Sequence, residues 1–280
     1  MRSKRKHNKY PYIILGIIHL IMVCITFYKC EDRKKCFVLL LNYVGFAYLF
    51  EYIVVVLFDA YKYQPKFFAQ KHKDNISGAI WSQFFYVPVT ALFITAFQFG
   101  WKVKLLFGIY FTLLEKLFIH MGIFKNNWWR TRYTFLTIVT SFFVNDFWYR
   151  KLTNRSPVFL FISFFNMIQV TWMNIIFFLA LLKQLRYGKP GNLRWENHFV
   201  ISPLFGLTYS ILLAWWTKDE NLFYKIKSFL FMFGTDVFLL QKNMLKTQSI
   251  LILPLIYFLL IGSANLYKRI VYRDREVYHT

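Results

Sequence analysis

Four carboxylates, Glu51, Glu115, Asp146 and Asp236, lie inside runs of apolar residues that otherwise read as membrane-spanning helices. A charged side chain at the centre of a bilayer costs about 2.5–3.5 kcal/mol on insertion scales and is kept for a reason, so each is a candidate for chemistry. The chemistry open to an isolated buried carboxylate is proton exchange or cation binding. Its structural alternative is a bond to a neighbouring helix.

Glu115 sits mid-run in LLFGIYFTLLEKLFIHMGIF, with Lys116 next and His120 four residues beyond Lys116. Adjacent helical residues point about 100° apart, so one of Glu115 and Lys116 can face the interior while the other snorkels. Glu115 is read either as a titrating or cation-binding group or as half of an interhelical ion pair. Glu51, in NYVGFAYLFEYIVVVLFDAY, has the same functional reading, against helix-to-helix hydrogen bonding; Asp59, two turns on, belongs at the interface. Asp146, in SFFVNDFWYRKL, is four residues from Arg150 and is expected to pair with it along the helix. The alternative there is an anion or headgroup site built from Arg150 with Arg130 and Arg132 of KNNWWRTRY. Asp236 follows Gly234 and Thr235 in a short run, which fits a broken, re-entrant or merely interfacial helix.

The elements that must position these groups are apolar runs at about 11–28, 36–58, 77–99, 105–124, 133–149, 157–182, 198–216, 228–240 and 247–267. Most approach the roughly 20 residues a helix needs to cross hydrocarbon. The 228–240 run is short unless it extends back through LFYKIK, so eight or nine spans are predicted; Lys/Arg bias slightly favours eight, with both ends inside. The fold expected is an all-α polytopic membrane bundle forming one domain. Gly188, Pro190 and Gly191 mark a connection at 183–197 that separates a six-helix front (1–182) from a two- or three-helix back (198–267). Period-2 alternation is not sustained, which argues against a barrel. LFDAYKYQPKFF and FGTDVFLLQKNML share an acid followed by Gln and basic residues, too little to argue a duplicated chain.

Composition agrees. The 280 residues are 57% hydrophobic and 22% aromatic, with 35 Lys/Arg against 13 Asp/Glu and a net charge of +22; mean hydropathy is +0.37. The cations are spread over every connection rather than gathered on one face, which points to the bilayer and its anionic headgroups and away from nucleic acid. Cys24, Cys30 and Cys36 form no CxxC and have no His cluster, so no metal or other cofactor is implied; Cys30 and Cys36 are read as free thiols, with a disulfide as the alternative if KCEDRKKC faces an oxidising compartment. MRSKRKHNK, ahead of an apolar run without a small-residue cleavage site, predicts an uncleaved first helix with a cytoplasmic basic end. GxxxxGK[ST], HExxH and GxSxG are absent, and a non-enzyme is favoured.

DFWYR (146–150) resembles the start of a motif of membrane-bound O-acyltransferases, but those proteins are generally longer and need an intramembrane His, for which only His198 could stand in. A broader resemblance runs through FEYIVVVLFDAYKYQPKFF, NISGAIWSQFFYVPVTALFITAF and LLEKLFIHMGIFKNNWWRTRYTF, about residues 50–150. These segments resemble an uncharacterised family of small multi-pass membrane proteins from Gram-positive, spore-forming bacteria. The resemblance implies a location in the cytoplasmic (cell) membrane and no known activity. The functional expectation is a small solute or ion handled through Glu51 and Glu115, a transport-like role. A non-catalytic assembly or envelope component, or a lipid-binding or lipid-modifying protein, are the alternatives.

Overall fold

The computed structural model describes residues 9–218 and 221–272; the basic stretch at 1–8, on which the expected orientation partly rests, lies outside them. Among the described residues the chain is all-α apart from four three-residue strands. The helices are α1 (Lys9–Lys29), α2 (Arg33–Glu51), α3 (Lys71–Ile80), α4 (Val87–Ala96), α5 (Trp101–His120), α6 (Thr131–Thr153), α7 (Pro157–Leu181), α8 (Trp195–Trp216), α9 (Leu222–Gln241) and α10 (Ile252–Tyr272). Two π-helical stretches extend them. Tyr52–Leu57 continues α2, and Trp81–Tyr86 joins α3 to α4 in one rod. The rods match the nine apolar runs, and the 228–240 run does extend back, to Leu222. Five rods are long and apolar enough to cross a membrane: Lys9–Lys29, Arg33–Leu57, Lys71–Ala96, Pro157–Leu181 and Trp195–Trp216.

Helix ends explain the strands. Gly122, Lys183 and Asn243 adopt left-handed backbone (φ 67°, 59° and 56°) just past α5, α7 and α9. The next N–H reaches back to close the last turn: Ile123 to Phe118 O, Gln184 to Leu179 O and Met244 to Leu239 O. Asp59 (φ 47°) ends the π-helical stretch after α2 in the same way, with Ala60 N bonded to Val54 O. Each closure releases a strand two residues later: β1 (Tyr61–Tyr63), β2 (Phe124–Asn126), β3 (Leu185–Tyr187) and β4 (Leu245–Thr247). β1 pairs antiparallel with β2 and β3 with β4, setting Tyr63 opposite Phe124 and Tyr187 opposite Leu245.

Two compact units result, Met1–Asn154 and Arg155–Thr280. The boundary therefore falls before α7, not at 183–197. α7 packs on α8 and α10, and the 183–197 segment holds β3 and a turn inside the second unit. Past α1 the first unit runs α2, β1, α3–α4, α5, β2, α6; the second runs α7, β3, α8, α9, β4, α10. The order is the same, and so is the strand burial: β1 and β3 bury their first and last residues, β2 and β4 only their first. The duplication that sequence similarity did not carry is thus present in the backbone. In the first unit α1 packs against the α3–α4 rod, where His19 Nε2 lies 3.1 Å from Thr90 Oγ1 and Tyr86 donates to the Tyr12 carbonyl at 2.6 Å.

Cys30 and Cys36 are joined in a disulfide, against the expectation of free thiols. The tight α1–α2 connection, held where Asp32 caps Lys35 N at 2.9 Å, brings them together. Cys24 is free and exposed.

Candidate functional site

The two π-helical stretches build the first part of the site. A π turn widens the helix and rotates everything after it, and such turns recur at functional positions. Glu51 is the last residue before one and Gln83 lies inside the other. Gln83 Nε2 and the Tyr61 hydroxyl both donate to Glu51 Oε2, at 2.8 and 2.9 Å. Glu51 is 6% exposed, and its Oε1 makes no well-formed hydrogen bond. Burial, then the Glu51 charge, pushes the phenols of Tyr61 and Tyr63 well above their usual range, so both remain protonated donors.

Glu115 lies on α5 about two helical turns before the left-handed Gly122. β2 and the start of α6 carry its partners. Asn126 Nδ2 and Thr131 Oγ1 donate to Oε1 at 3.1 and 2.8 Å, and Thr134 Oγ1 donates to Oε2. Neither Glu51 nor Glu115 is paired with a Lys or Arg among the described residues, so the interhelical ion pair considered for Glu115 does not form. Hydroxyl and amide donors take its place.

Between these networks lies a cavity of about 510 Å³ within the first unit. Glu115 and Thr134 line it on one side, and Glu51's neighbours Tyr61, Tyr63 and Gln83 on another. Tyr12, Tyr43, Tyr86, Phe111, Phe118 and Trp129 complete a mostly aromatic wall, with Ser141 and Asn145 among its polar groups. Among the described residues, Glu115 is the one charged residue on the lining, and no Lys, Arg or His is part of it.

The other expected residues are placed differently. Asp146 pairs with Lys104 of α5 at 2.5 Å, not with Arg150, and Lys104 also donates to the Phe99 carbonyl at 2.9 Å. Lys104 is 4% exposed and needs a counter-charge, which the exposed Arg150 does not. Arg130 and Arg132 flank the start of α6 and Arg150 lies near its end, roughly 27 Å away at 1.5 Å per residue, so the three do not form one anion site. His120 is exposed at the end of α5. Asp59 is exposed and pairs with Lys62 at 3.0 Å.

Asp236 lies in an unbroken α9, so Gly234 marks neither a break nor a re-entrant turn. It is fully buried and held by three phenols, Tyr187 at 2.9 Å, Tyr209 at 2.8 Å and Tyr257, from β3, α8 and α10. Glu115 and Asp236 occupy the same place in their units, on the third helix and equally far ahead of the left-handed residue that closes it. Trp172 and Tyr209, both buried, pack edge to face at 5.1 Å beside this acid's partners. Gly206 makes that possible: a Cβ there would stand 2.3 Å from Trp172 Cδ1.

No protein-family description, curated protein or solved structure matches the chain. Sequence reasoning missed the tyrosine partners of Glu51 and Asp236. The only local signal was Tyr61-Lys62-Tyr63 and Arg186-Tyr187 within basic connections, where aromatic residues read as interfacial belt.

Proposed function

We propose that the chain is a nine-span protein of the cytoplasmic membrane whose first unit binds a small solute in the cavity between Glu51's network and Glu115. The observation that carries this reading is the cavity itself, walled by a carboxylate and by the donors to a second. Pockets of this size, apolar with a few convergent polar groups, are the usual form of a small-molecule site.

The charge of the connections supports an orientation. The four strand-bearing connections (58–70, 121–130, 182–194, 242–251) contain Lys62, Lys66, Lys125, Arg130, Lys183, Arg186, Lys189, Arg194, Lys242 and Lys246. The four others (30–32, 97–100, 154–156, 217–221) contain only Arg155 and Lys218. Positive charge marks the cytoplasmic side. Nine crossings put the strand-bearing connections and the N-terminus there, and the disulfide-bearing α1–α2 connection on the oxidising side, where such bonds persist.

The test is solute flux or binding in proteoliposomes with Glu115→Gln, Glu51→Gln and Ala91→Leu, the last adding bulk at a buried position on the cavity wall. Loss of uptake or binding in Glu115→Gln and Ala91→Leu at unchanged protein yield is expected. Unaltered behaviour in all three variants would refute the site. The full burial of Asp236 among three phenols favours a structural role for the second unit, as a non-catalytic membrane component would have throughout.

A further inference from the structure

The character of the cavity wall narrows the ligand. A pocket that takes an anion presents cations, and one that takes a neutral solute has no need of a buried carboxylate. This cavity sits in a chain of net charge +22, yet its lining includes Glu115 and no Lys, Arg or His. Lys104, the one Lys or Arg buried in this unit among the described residues, is neutralised by Asp146. Glu115 spends its hydrogen bonds on hydroxyl and amide donors, which hold the carboxylate in place without cancelling its charge. Glu51 stands behind Tyr61 and Gln83 with one oxygen lacking a well-formed bond.

The rest of the wall is aromatic. Phe50, Trp129, Tyr61 and Phe124 form a chain of ring contacts, with Phe50 to Trp129 at 6.0 Å, Trp129 to Tyr61 at 5.4 Å and Tyr61 to Phe124 at 5.0 Å. Ring faces around a carboxylate are the chemistry that selects ammonium groups. The cavity is also lined by Leu136 and Val144 of α6, which are 57% and 46% exposed. It therefore has an apolar opening along α6, on the side such a chain turns to lipid.

We infer that the cavity of the first unit takes an amphipathic organic cation, a protonated amine or quaternary ammonium with an apolar body, entering along α6 with its charge seated by Glu115 and the Phe50–Trp129 rings. The inference rests on the cavity being a binding site and adds the class of ligand.

The experiment is calorimetric titration of the full chain in phosphatidylglycerol nanodiscs, corrected against empty discs. The probes are benzyltrimethylammonium and its neutral isostere neopentylbenzene. The cation is expected to bind at least tenfold more tightly. Glu115→Gln and Phe50→Leu should each erase most of that preference, Phe50→Leu serving if the amide variant does not fold, and Ala91→Leu should abolish binding of both probes. Equal affinities left unchanged by Glu115→Gln would overturn the cation while leaving the cavity as a site. Binding of neither probe to the parent chain would overturn the site as well. Adding phosphatidylethanolamine to the discs separates two sources of the same ammonium chemistry: competition with the probe identifies a lipid headgroup, and its absence a free amine, and either result upholds the proposal.

Discussion

The two units share one sequence of elements and differ in what fills the middle. Each places a carboxylate on its third helix, about two turns before a left-handed residue that opens a strand. In the first unit that acid, Glu115, is held from one side by Asn126, Thr131 and Thr134 and faces a cavity. In the second, Asp236 is enclosed by Tyr187, Tyr209 and Tyr257, with Trp172 packed alongside. A further contrast accompanies the first. Tyr61, the first residue of β1, donates to Glu51 at the end of α2; α7 carries no acid, β3 starts with Leu185, and Tyr187, in register with Tyr63, donates to Asp236. The first unit thus has one carboxylate more, which takes a strand phenol, and its Glu115 stands at a cavity wall. The same order of elements borders a cavity in one unit and surrounds its acid with aromatic side chains in the other.

The comparison breaks most readily at the equivalent acids. Asp236→Ala strips three buried phenols of their acceptor, and at about 1–3 kcal/mol for each stranded group it should cost about 3 kcal/mol or more. Glu115→Ala should cost under about 2 kcal/mol, because Thr134 lines the cavity and Asn126 and Thr131 are only half-buried. Thermal unfolding of both variants in the same detergent checks this, and equal losses would show that the two acids do the same work.

Next come two small residues on corresponding rods. Ala91 and Gly206 each lie three residues after a proline, Pro88 and Pro203, in corresponding rods. Gly206→Ala drives a methyl into the Trp172 ring and should lose about 1–3 kcal/mol. Ala91→Leu adds more volume yet points at the cavity, so its midpoint should move by less than about 1 kcal/mol. A larger loss in Ala91→Leu than in Gly206→Ala would mean that the cavity is not an open volume. The smallest contrast expected is between Tyr209→Phe, about 1 kcal/mol from one of three donors, and Thr131→Val, with no resolvable change; denaturant midpoints would resolve the pair.

The rods were legible because length and apolarity alone specify them: each of the nine runs became a helix. The strands were not, since three residues leave no period to read, and the backbone feature that creates them is filled by four dissimilar positions, Asp59, Gly122, Lys183 and Asn243. The repeat was hidden for the same reason. Among the acids, Glu51 and Glu115 are buried, but so is Asp236, whose short apolar run had left its depth in doubt, and the partners of all three came from distant segments. Asp146 found Lys104, forty-odd residues upstream, over the nearby Arg150, because a buried ammonium has more to lose than an exposed guanidinium. The π-helical stretches that aim Glu51 and Gln83 left no mark in composition at all. Charge bias looked nearly flat when counted between apolar runs, and sharpened once helix ends moved many cations out of the connections.

The pairing of β1 with β2 and of β3 with β4 bears on how the chain is made. Each pair brackets a complete helical hairpin, α3–α4 with α5 in one unit and α8 with α9 in the other. The first strand of each pair leaves the ribosome long before the second, so its amides have no partner until the intervening hairpin has gone out and come back. An edge strand left waiting is a template for wrong pairing. The sheet is then a latch that closes only behind a correctly returned hairpin, and a chain stalled after α5 or α9 would be marked as unfinished by its open strand.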